Sequence, residues 1–159
     1  MSFNITGIAI NKKIDNAAES LKELLGFDVA FEEEIDFETA SENWKVEGII
    51  DLVLLERASI IFTDMDIAMG SYKLTDAVVL SFAISETSDA YNLVLNNGHT
   101  TLRNIMEVQS ERINDEGEIL GNESHNQTIS ELIFSTLEVV LGQSYYIINA
   151  DAQAFRYSI

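Results

Sequence analysis

Asn114, Asp115, Glu116, Glu118, Asn122 and Glu123 crowd around two glycines in the stretch INDEGEILGNESH, residues 113–125. A calcium loop of the helix–loop–helix kind needs oxygen ligands at alternate places, a glycine at the sixth and a bidentate glutamate at the twelfth. With Gly117 sixth, Asn114, Glu116 and Glu123 fall on ligand places, but Arg112 takes the first, where a cation would face a cation. With Gly121 sixth, Leu120 falls on a ligand place, and the flanks read as strands rather than helices. Turn chemistry accounts for the same residues: Asn114 to Gly117 is expected to be a hairpin turn, with Glu118 to Leu120 returning as a short strand.

Other chemistry-bearing groups are sparse. Asp64 and Asp66 in TDMD would share a face of a strand and approach a divalent ion with help from Glu86 or Asp89; Asp66 would otherwise cap a helical turn over IAMG. The histidines are His99, beside a turn, and His125, just before a helix; no pair stands at the helical i, i+4 spacing of a zinc site. There is no cysteine, no G-x-S-x-G elbow and no glycine-rich phosphate loop. No cofactor and no metal are expected. Tyr145, Tyr146, Phe155 and Tyr157 stand at strand spacing, where aromatics make core and cross-strand pairs. The run EEEIDFE supplies the candidate interaction surface: Glu32, Glu33, Glu34, Asp36 and Glu38.

That run samples a wider property. Nine Lys and Arg face 27 Asp and Glu, a formal charge of -18. The cations are scattered singly apart from Lys12-Lys13, and after Arg112 only Arg156 remains. Such a surface repels nucleic-acid phosphates and anionic lipid heads and attracts a basic protein. The opening MSFNITGIAI lacks the basic and apolar regions of a signal peptide, and no apolar run is long enough to span a membrane, so the cytoplasm, of a bacterial cell, is the expected compartment.

The elements that must position these groups follow from periodicity. FNITGIAI reads as a first strand. A helix follows from Asn16, with Glu19 at the capping-box offset, a stripe of Leu21, Leu24 and Leu25, and Gly26 as its stop. FDVAFEEEI reads as a strand; residues 36–48 are a loop or short helix holding Trp44 as a buried-type residue. IIDLVLLE and SIIFTD form a hairpin about Arg57-Ala58, and AVVLSFAIS is the most apolar strand and belongs at the centre. Asn97-Gly98 predicts a type I′ turn. Thr128 and Glu131 open a second helix with a buried face of Ile129, Leu132, Ile133, Thr136, Leu137, Val140 and Leu141, ended by Gly142. SYYIIN and AFRYSI close the chain as strands.

Adjacent strands with no helix between them argue against a doubly wound parallel sheet. The expected fold is α+β: residues 1–159 as one domain, with a mainly antiparallel, curved sheet of about seven to nine strands and two helices packed on it. The opening ITGIAI…AESLKELLGF resembles that of metal-dependent glyoxalase/dioxygenase-type folds. Those folds place His and Glu ligands on matching strands of two repeats; the early strands here carry no His, so no residue is carried across. The expected function is protein–protein contact without catalysis, immunity-like, antitoxin-like or regulatory. The alternative is a small-molecule carrier or enzyme with a pocket inside the curved sheet.

Overall fold

A computed structural model describes residues 3–42 and 45–159. The expectation for Trp44 lies outside the described residues. Nine strands form a single antiparallel sheet that is not closed: β1 (Asn4–Ile10), β2 (Ala30–Asp36), β3 (Ile49–Leu54), β4 (Ser59–Thr63), β5 (Val78–Ser85), β6 (Ala90–Asn97), β7 (Thr100–Val108), β8 (Glu111–Gly117) and β9 (Gln153–Ser158). Their order across the sheet is β2-β9-β3-β4-β1-β5-β6-β7-β8. The middle place goes to β1, and the most apolar strand, β5, lies beside it. The last strand inserts between β2 and β3, so the edge carrying EEEID is held by the chain's end.

Every residue of β1 and β4 is buried, which requires cover on both faces. On one face Ile5, Ala9, Phe62, Leu80, Phe82 and Leu93 pack with α4 (Ile129–Leu141) and the short α2 (Phe37–Ser41). On the other, Ile8, Ile10, Leu52 and Ile61 pack with Leu21 and Leu24 of α1 (Ala17–Leu25). The alternation of neighbours along β1 is the period-2 geometry of a strand. Gly7 sits where β1 is most confined: a Cβ there would stand 2.4 Å from the Ile61 carbonyl oxygen and 3.0 Å from the Phe82 ring.

The buried face of α4 is the stripe that its sequence predicts, residue for residue. Its capping box is formed: the Thr128 hydroxyl accepts from the Glu131 N–H at 3.1 Å, and the Glu131 carboxylate accepts from the Thr128 N–H and hydroxyl. Thr128→Ala leaves that N–H without its partner and is expected to lower stability by about 1 kcal/mol. Equilibrium urea unfolding measures it; an unchanged midpoint would contradict the role given to the cap.

Several local expectations fail, each for a physical reason. Asn16 does precede α1, but in a left-handed conformation (φ 48°) with no side-chain cap, so Glu19 completes no box. The β6–β7 loop is Gly98-His99, closed by the Asn97–Thr100 pair, so the glycine holds the first central place (φ 58°) instead of the second. The next turn is Gln109-Ser110, both left-handed without glycine (φ 50° and 64°). Asn114 to Gly117 therefore lie in strand β8, and Glu118 to Leu120 form no strand. SYYIIN is not a strand either; Tyr145–Ile147 form a 3-10 turn started by the Ser144 hydroxyl. Asp64, rather than Asp66, caps the helical turn α3 (Met65–Ala68), accepting from the Ile67 N–H at 3.1 Å. Among the described residues no helix is long and apolar enough to cross a membrane.

Candidate functional site

Three of the nine cations, Lys45, Arg103 and Arg156, are bound in clusters with buried or partly buried carboxylates. Asp51, in the middle of the apolar run IIDLVLL, is fully buried on β3. Arg156, its cross-strand neighbour on β9, donates to it through Nε and Nη2, both at 2.8 Å. Lys45, whose side chain is 7% exposed, approaches the same carboxylate at 2.7 Å and donates to the Thr39 carbonyl at 3.1 Å. This cluster ties α2 and the loop after it to β3 and β9, directly beside the acidic edge.

A second cluster lies at the opposite end of the sheet. The Arg103 side chain on β7 is 2% exposed. Its Nε and Nη2 donate to the two Glu123 oxygens at 3.0 and 2.7 Å, and its Nη1 to Asp115 and to the Glu116 carbonyl. Gly117, opposite Arg103 in register, lets the strands close: a Cβ there would meet the Leu102 carbonyl oxygen at 2.1 Å, and its φ is 94°. Arg112 adds a surface pair to Asp115 at 3.1 Å and to Glu107 at 3.3 Å. Thus Asp115 and Glu123 of the INDEGEILGNESH stretch are ligands of an arginine. A hollow of about 380 Å³ opens beside this cluster, lined also by His125.

Hydrogen bonds from Arg103 hold the Glu123 and Asp115 carboxyls below the usual carboxylate range. A carboxyl whose pKa falls on folding adds stability above its unfolded pKa and loses it as pH falls through the folded value. The stability gap between the wild type and an Arg103→Met variant is therefore expected to narrow as pH is lowered from about 6 to about 3. Urea unfolding at stepped pH measures it, and a constant gap would contradict the assignment.

Sequence reading assigns Glu32, Glu33, Glu34, Asp36 and Glu38 to one acidic surface, and the structure distributes them along one border. The first four lie on β2, an edge strand bonded to β9 alone, and Glu38 is in the first turn of α2. A bulge between Phe31 and Glu33 shifts the register. Glu33 then faces Arg156, while Glu34 and Asp36 take the opposite face, where Gln153 donates to Glu34 at 2.9 Å. Glu32 accepts from the Ser158 hydroxyl. Asp36 caps α2, accepting from the Thr39 N–H at 2.8 Å, which lowers its carboxyl pKa. None of the five forms an ion pair among the described residues, and Glu32, Glu33, Glu34 and Glu38 are exposed.

The remaining candidates scatter. Asp64 is engaged by the Ile67 and Gly48 N–H groups, and Asp66 is exposed on α3. His99 is exposed and 3.3 Å from the Thr75 hydroxyl. Among the described residues no three His, Asp or Glu gather as a metal site. Tyr145 and Tyr157 are buried in the two cores, and Phe155 packs against the second; only Tyr146 is left at the surface. Comparison of the chain with protein-family models, curated proteins and solved structures finds no match.

Proposed function

We propose that this protein works by contact with a basic protein, as an immunity, antitoxin or regulatory protein does, and that β2 with the start of α2 is its docking border. The observation that carries this reading is the use of the cations. Lys45, Arg103 and Arg156 are bound by Asp51, Asp115 and Glu123, and none of the border carboxylates forms an ion pair of its own among the described residues.

Edge geometry supports it. One side of β2 has no strand partner, so its backbone is a template for an added strand. Three consecutive glutamates disfavour a second copy of β2 there by like-charge repulsion and favour a strand rich in Lys or Arg. A salt-sensitive association with fast encounter follows from such charge. The test is affinity capture from the source cell with the wild type and with a Glu32→Gln, Glu33→Gln, Glu34→Gln variant. A basic protein retained by the first and lost from the second is the expected result. Equal capture by both would reject the border.

A further inference from the structure

An aromatic strip with carboxylates at its rim lies away from the acidic border. Phe134 of α4 packs with Phe3, ring centroids 5.8 Å apart, and with Tyr146 at 5.0 Å. The planes of both pairs are tilted by little more than 30° (34° and 32°), so the rings form a stepped platform. They line a hollow of about 460 Å³ with Ser130, Glu86 and Glu131. The Glu86 N–H donates to the Phe3 carbonyl at 3.1 Å, which holds the backbones of the two residues together at the hollow. Glu86 is exposed, and neither it nor Glu131 forms an ion pair among the described residues. Glu131 spends one oxygen, Oε1, on its capping box. Tyr146 is 74% exposed and Phe3 36%.

We infer that this hollow takes an arginine side chain of the basic partner, its guanidinium laid on the Phe3–Phe134–Tyr146 platform and paired with Glu86. The inference rests on the basic-partner reading and names a second point of attachment. Aromatic faces attract a cation through their quadrupole, and a planar guanidinium both stacks on a ring and presents a fork of N–H donors to a carboxylate. A lysine ammonium supplies charge without the plane, and a neutral apolar side chain would leave Glu86 unpaired at the rim.

The test uses the whole protein and a capped Gly-Arg-Gly-Arg-Gly peptide, followed by NMR of the aromatic ring protons, with lysine and citrulline peptides as controls. The arginine peptide is expected to shift the Phe134 and Tyr146 ring signals in a saturable way. Citrulline keeps the plane and loses the charge, and is expected to bind at least about threefold more weakly. Glu86→Gln and Tyr146→Ser, both surface changes, are each expected to weaken arginine binding about threefold without moving Tm. Absent ring shifts, citrulline or lysine binding equal to arginine, or variants that bind like the wild type would each overturn the inference. The β2 glutamine variant separates the two readings. If it loses the partner while the rings ignore arginine, the hollow falls and the border stands. If the rings respond while capture is unaltered, the hollow stands and the border falls.

Discussion

Asp51→Ala is expected to lower the unfolding free energy by about 3–5 kcal/mol, the range for breaking a buried ion pair by removing one partner. For a chain of this size the loss corresponds to a fall in Tm on the order of 10 °C. The cost arises from what is left behind. Among the described residues Lys45 keeps the Thr39 carbonyl alone, and the Arg156 guanidinium loses both of its bonds to Asp51. Replacing the whole cluster tests this directly. Asp51→Leu with Lys45→Met and Arg156→Met removes all three charges and is expected to recover most of the stability, since apolar side chains of similar volume replace buried ions at little or no cost. Thermal unfolding of the single and triple variants measures both. A single substitution costing less than about 1 kcal/mol would put the Asp51 cluster among solvated surface pairs.

Arg103→Met is expected to cost about 2–4 kcal/mol, because a carboxylate and a carbonyl then lose charged donors out of water. The Glu123 side chain is 10% exposed and, among the described residues, keeps the Leu120 N–H alone, at 3.1 Å. The damage should spread along the chain to the entry of α4. Asn122 donates to the Ser135 and Thr136 hydroxyls, and Glu123 organises the turn that places it. Faster amide exchange across residues 118–127 is expected, with the sheet centre unaffected. Glu123→Gln on top of Arg103→Met removes the stranded charge and should restore part of the loss. A variant with wild-type exchange in this segment would show that the arginine does not hold it.

The parts of this fold that were legible are those whose signals are local. Helix α4 carries its cap, its stripe and its glycine stop within 15 residues (128–142), and every one is realised. The β3–β4 hairpin is likewise local and is closed by the Leu55 N–H bonding to the Ala58 carbonyl. The turn at Gln109-Ser110 was hidden because two residues with no preference for positive φ adopt it. Its register then carried Asn114 and Asp115 out of a turn and into an edge strand. The insertion of β9 between β2 and β3 pairs residues more than 100 positions apart, for which no local signal exists.

The ion clusters left a fainter trace. Asp51 interrupts IIDLVLL and Arg103 interrupts TTLRNIMEV, and a charge inside an apolar or alternating strand is a sign of a buried pair. Arg156 interrupts AFRYSI in the same way but lies 105 positions from Asp51, and Glu123, 20 positions from Arg103, stands in a loop and carries no such mark. The acidic run was visible at once, but the bulge at Glu32, the capping duty of Asp36 and the edge position of the strand were not. Phe134 lies outside the predicted buried stripe of α4, and nothing local says that it meets Phe3 and Tyr146.

The central claim is that the exposed carboxylates of β2 hold a basic partner. It is tested most directly by the affinity of the captured partner for the wild type and for the Glu32→Gln, Glu33→Gln, Glu34→Gln variant at two salt concentrations. The account predicts that raising salt from about 0.05 M to about 0.5 M weakens wild-type binding at least tenfold, mainly through slower association. The variant should start weaker and lose much less. Equal affinity for the two proteins, with the same response to salt, would contradict it.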